Sequence, residues 1–167
     1  MPYDEGSKEF GNTWVVKSNE ISLSTAIYAA GDLMGGLLTF PDVIQSDRGG
    51  GAVVGVELID TSTVLAQIDL ALFDKALSTG SKTSATGDNA AVTLADTDLA
   101  NALAVINLST GNIRQLYDNQ IHYAANISYP FYLIDGRAIR GVLIAHATPT
   151  YATGNSMFVK LSISRDA

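Results

Sequence analysis

The chain has 167 residues, 10 Lys and Arg against 17 Asp and Glu, a net charge of −7 and no cysteine. That length suits one domain with a two-layer core, and the missing thiols exclude disulfides, thiolate catalysis and Cys-based zinc or iron–sulfur sites. Nucleic acid is not expected as a partner, because binding it requires clustered cations and those present are scattered along an acidic chain.

Hydrophobic residues make up 47 % of the chain and charged residues 16 %. Such a low charge density leaves a surface of small, weakly polar side chains that suits subunit packing. No run approaches the roughly 20 apolar residues of a membrane helix. The first residues show no secretory signal, so no membrane partner is expected.

Residues 1–12 are polar and lack apolar periodicity, and are expected to form an N-terminal arm that lies on a neighbouring subunit or partner. The remainder, 13–167, reads as a single β-sandwich domain. Thr13 to Lys17 and Ile21 to Tyr28 predict two strands, and Met34 to Phe40 a third, with Gly35-Gly36 marking a bulge. The stretch from Gly50 to Phe73 is the centre of the pattern. Ala52, Val54, Val56 and Leu58 alternate along one strand, and Val64, Ala66, Ile68, Leu70 and Leu72 along the next. With Asp60-Thr61-Ser62-Thr63 between them, they predict a β-hairpin whose apolar face meets the core.

A polar excursion from Asp74 to Thr93 follows, ending in a short strand at Ala91–Leu94. Asp96 to Leu103 then predicts a helix of about two turns, with Asp96 as cap and Leu99, Leu103 and Ile106 on one face. Ile113–Tyr117, Gln120–Ser128, Phe131–Ile134 and Ala138–Ala145 predict further strands, the last pair joined by an Asp135-Gly136 turn. Ser156–Ser164 is the cleanest strand, with Met157, Val159, Leu161 and Ile163 inward. Roughly nine or ten strands and one short helix predict an all-β, jelly-roll-like antiparallel sandwich.

Chemistry is sparse. His122 and His146 are the only side chains suited to general base work near neutral pH. Neither belongs to a G-x-S-x-G elbow or an HExxH motif, so no catalytic residue and no enzyme is expected. Gly49-Gly50-Gly51 lacks the GK[ST] of a phosphate loop. Asp88, Asp96 and Asp98, with Asn89, come nearest to a calcium cluster, but EF-hand spacing is absent and capping accounts for Asp96 and Asp98. No metal and no cofactor is therefore expected. Tyr28, Tyr117, Tyr123, Tyr129, Tyr132 and Tyr151 could stack on sugars, though Trp14 is the sole tryptophan and core packing is the ordinary role of such rings.

Several stretches, taken in order, resemble small capsid decoration (cement, head-stabilising) proteins of tailed bacteriophages. They are Tyr28-Ala29-Ala30-Gly31-Asp32, the Gly50–Phe73 segment ending in Leu72-Phe73, Gly87-Asp88-Asn89-Ala90-Ala91, Asp96-Thr97-Asp98-Leu99, and the final run from Tyr151 through Met157 to Asp166. The resemblance covers about residue 21 to the end. It lacks the proline expected after Phe73. It implies a structural virion protein that binds the outside of the capsid, with the major capsid protein as partner, commonly as a homotrimer. Such a protein is assembled in the host bacterial cytoplasm. A glycan-binding β-sandwich module on the head or tail fibre is the alternative.

Overall fold

The computed structural model describes residues 8–10, 13–46, 48–64, 66–78, 88–108, 113–134 and 136–165. Apolar alternation drives the formation of two antiparallel sheets. One holds β1 (Lys8–Phe10), β2 (Thr13–Lys17), β11 (Ser156–Arg165), β5 (Gly49–Asp60), β9 (Asn119–Leu133) and β8 (Ile113–Leu116) in that spatial order, with β3 (Ile21–Ser22) also paired to β11. The other runs β4 (Leu33–Phe40), β10 (Ile139–Ala145), β6 (Ile68–Phe73) and β7 (Ala102–Leu108). The all-β sandwich expected from the sequence is the observed architecture.

The core lies between the sheets. Val56, Leu58, Val159 and Leu161 of the larger sheet meet Leu38, Phe40, Leu70, Leu72 and Leu143 of the smaller, all essentially buried. The inward set expected for β11, Met157, Val159, Leu161 and Ile163, is fully buried as predicted.

The central hairpin does not form. β5 pairs with β9 and β11 in one sheet, whereas β6 pairs with β7 and β10 in the other. Residues 61–67 carry the chain from one layer to the next. The Ser62 amide donates to Asp60 Oδ1 at 2.9 Å and the Val64 amide to Ser62 Oγ at 3.1 Å, bending the backbone there. Strands in opposite layers also turn alternate residues inward, so periodicity does not separate the two arrangements.

The faces of β5 also differ from expectation. Register shifts opposite β9, between Val53 and Gly55, and opposite β11, between Ser162 and Ile163, mark a bulge that reverses the alternation. Val53 is therefore buried and Val54 only partly so. Across from it, Gln120–Ser128 and Phe131–Ile134 fuse into the 15-residue β9, with Asn126 at φ 58°.

The helix is shorter than predicted. α1 spans Asp96–Leu99 and has Ala95, not Asp96, at its N-cap. Leu103 and Ile106 belong to β7, where Ala104, Ile106 and Leu108 are buried and Val105 and Asn107 exposed. The period of two wins because β7 can hydrogen-bond along β6.

The expected arm is partly accounted for. Lys8–Phe10 folds back onto β2 of its own chain as an edge strand, and does not extend away. Residues 1–7, 11 and 12 lie outside the described residues, as do 79–87 of the polar excursion and Asp135 of the predicted turn.

Two straps cover the outer face of the smaller sheet. Leu77, Val92 and Leu94 pack over Leu33, Ala71, Phe73 and Val142, forming a second, smaller core. This explains why β6 is apolar on both faces. The outer edge of β4 is closed by side chains. Thr39 N donates to Asn19 Oδ1 at 2.7 Å, Asn19 Nδ2 donates to the Leu37 carbonyl at 3.1 Å, and Gly35 N donates to Asp88 Oδ1 at 2.6 Å. An edge whose polar groups are already occupied is a poor template for stray strands.

Candidate functional site

Asp88 is one anchor of the strap. Its Oδ1 accepts from the Tyr28 hydroxyl at 2.7 Å as well as from Gly35 N, and the Tyr28 oxygen accepts from Ser24 N at 2.8 Å. Burial and the Asp88 carboxylate push the Tyr28 phenol above its ordinary range. Asp98 is a second anchor, accepting from both Ser78 N, at 3.0 Å, and Ser78 Oγ, at 2.8 Å. At the turn of Tyr28–Asp32, Ala29 N donates to Asp32 Oδ2 at 2.7 Å, Gly31 takes φ 92°, and Asp32 bridges to Ala91.

Asp88, Asp96 and Asp98 therefore do not form a cluster. Asp88 and Asp98 anchor different places in the strap, Asp96 is exposed in the first turn of α1, and no group of three potential metal ligands occurs among the described residues. Asp88→Ala would leave the buried Tyr28 hydroxyl and the Gly35 amide without their acceptor. It is expected to cost about 2–4 kcal/mol, with Asp88→Asn costing less. Urea unfolding of the two variants checks this.

The histidines are also apart. His146 is half exposed, with Nδ1 3.1 Å from Asp69 Oδ2, while Asn107 Nδ2 donates to Asp69 Oδ1. This is a surface pair of small energetic weight. His122 is fully buried on β9. Burial lowers its pKa to about 4, opposed by the Leu108 carbonyl, so the ring is neutral at pH 7.

His122 belongs to a group of buried polar side chains at the end of the sandwich where 61–67 cross over. Asp60, Gln120 and His122 are fully buried, and Ser62 and Tyr151 nearly so. Asp60 and Gln120 are cross-strand partners on β5 and β9, and Gln120 and His122 share one face of β9. Tyr151 stacks edge-on against Tyr28, ring centres 6.0 Å apart, and burial, helped by the nearby Asp60 charge, raises its pKa well above the ordinary phenol range. Burial likewise raises Asp60 to about 6, against two hydrogen bonds from Ser62.

This polar seam was not expected from the sequence. Gln120-Ile121-His122-Tyr123 alternates polar with apolar, which ordinarily places the polar pair in solvent. Here the polar pair faces the core while Ile121 and Tyr123 lie outside. The clue available was that β5 ends in Asp60 on the same parity as Val56 and Leu58.

The tyrosines are dispersed: Tyr28 and Tyr151 are buried, Tyr117 is exposed in the turn before β9, and Tyr123, Tyr129 and Tyr132 are spaced along β9, the first two partly buried. Trp14 stacks under Arg165, with the guanidinium carbon 3.9 Å from the ring centre. Among the described residues, no helix is long and apolar enough to cross a membrane. No family model matches the sequence, and no curated protein matches it.

Proposed function

We propose that the chain is a structural virion protein that binds the outer surface of a tailed-phage capsid and cements neighbouring major capsid subunits as a homotrimer. The reading rests on the ordered motifs, and one structural observation supports it. Tyr28, Asp32, Asp88, Ala91 and Asp98, all within those motifs, are the residues that tie the strap over the smaller sheet. The resembling positions thus act together in one device.

Among the described residues, the face left uncovered belongs to the larger sheet. Phe158, Ile59 and Ile121 align across it in register, each partly buried, with Lys17 over the Phe158 ring at 3.9 Å and Arg114 over Tyr123 at 5.7 Å. Apolar residues rimmed by charges suit packing against another protein surface. The acidic chain is suited to the outside of a shell packed with DNA. The role is mechanical and non-enzymatic. Standard interfaces bury about 1,600 Å², and threefold repetition multiplies the contacts that must break together.

Analytical ultracentrifugation, alone and with expanded heads of the phage that encodes the chain, tests the reading. A trimer that saturates the shells is expected, and a strict monomer that never sediments with them would overturn it. Ile59→Lys with Ile121→Lys is expected to weaken attachment by at least about tenfold while leaving folding intact.

A further inference from the structure

We propose that the polar seam between the sheets is a binding site for ordered internal water, which joins Asp60, Gln120 and Tyr151 into one hydrogen-bonded group. Asp60 Oδ2, both polar atoms of the Gln120 carboxamide and the Tyr151 hydroxyl are buried without a protein hydrogen-bond partner. They are not scattered. Asp60 faces Gln120 across β5 and β9, His122 follows two residues along the same face, and Tyr151 lies within the field of the Asp60 carboxylate.

Buried groups of this kind are costly unless something completes their hydrogen bonds. The required occupant must both donate and accept. The Asp60 carboxylate and the Gln120 oxygen need donors, whereas the Gln120 NH₂ needs an acceptor and the Tyr151 hydroxyl can serve either way. Water does both and typically makes about three such bonds in protein interiors. A metal ion is a poorer fit, since Asp60 is the only carboxylate in the group. An apolar ligand would leave every polar atom unpaired.

A surface pocket of about 370 Å³ is lined by chain neighbours of the seam, among them Thr61, Ser62, Asp118, Thr150 and Asn155. These residues precede or follow Asp60, Gln120 and Tyr151 within two positions, or hydrogen-bond to the same turn, as Asn155 Nδ2 does to the Thr61 carbonyl at 2.8 Å.

Oxygen-17 magnetic relaxation dispersion on the full chain tests the site. Wild-type protein is expected to show water molecules that stay bound longer than the protein takes to tumble. The Gln120→Leu/His122→Leu double variant is expected to lose roughly half of that signal or more. No dispersion in the wild type, or an unchanged amplitude in the folded double variant, would overturn the proposal. Should the double variant not fold, a high-resolution crystal structure of the wild type decides. Solvent density about 2.7–3.2 Å from Asp60 Oδ2 and a Gln120 amide atom supports it. Side chains paired directly with one another, with no density between them, refute it.

Discussion

Replacing Ile68 with aspartate is expected to leave no folded protein at room temperature, and Val56→Asp to do the same. The two positions lie in opposite sheets, yet both point into the main core between them, 0 % and 2 % exposed respectively. Each substitution removes about 1.5–3 kcal/mol of apolar burial. It also places a carboxyl among hydrocarbon, at a further cost of several kcal/mol whether the group ionises or stays protonated. A domain of this size is stable by only about 5–15 kcal/mol, so the sum is of the same order as the whole. Ile59→Asp provides the control. Its side chain lies on the outside of the larger sheet, and the cost there is expected to be about 1 kcal/mol. Circular dichroism with size-exclusion chromatography distinguishes these outcomes. A native-like Ile68→Asp variant would mean that β6 does not face the core.

The second large effect is a pair of opposite pH responses hidden within a nearly flat profile. Asp60 is raised from 3.8 to about 6 in the folded protein. Between those values the folded state binds more protons than the unfolded chain, so this group's contribution to stability falls as pH rises. His122 is lowered from 6.5 to about 4. Over that interval the unfolded chain binds more protons, and its contribution rises with pH. Each amounts to about 3 kcal/mol at the extreme, and they oppose one another between roughly pH 4 and 6. The phenols of Tyr28 and Tyr151 stay neutral throughout this range.

Removing either partner exposes the other. Asp60→Asn is expected to lose stability on acidification from pH 6.5 to 4, whereas His122→Leu is expected to gain it. Urea midpoints at several pH values, compared with the wild type to subtract the remaining carboxylates, read the difference. Parallel profiles for the two variants would show that the seam does not hold these groups in the states assigned.

Much of the sandwich was legible because strand periodicity is a local property. β2 matches its predicted bounds, and β11 extends one residue past them with the expected residues inward. What periodicity cannot carry is partner choice. Gly50–Phe73 was read as a hairpin because both halves alternate, and alternation is the same whether two strands lie side by side or face one another. Asp96–Leu103 reads as helix because Leu99, Leu103 and the following Ile106 satisfy helical spacing, while the competing strand set of Ala104, Ile106 and Leu108 needs β6 to realise it. The polar seam was hidden for a related reason. Nothing local marks Gln120 and His122 as inward when Ile121 and Tyr123 alternate with them just as well.

The division of β5 and β6 between layers has a consequence for biosynthesis. β5 is central in the larger sheet, and both of its neighbours come from far downstream, β9 at Asn119–Leu133 and β11 at Ser156–Arg165. Pairings of such long sequence separation are slow to form. On the ribosome, β5 emerges with neither neighbour yet made, and the β6 that follows belongs elsewhere. The larger sheet can close only after β11 has left the exit tunnel, so nascent chains arrested before Ser156 are expected to remain protease-sensitive. Completion of the larger sheet thus waits on β11, which pairs with both β2 and β5.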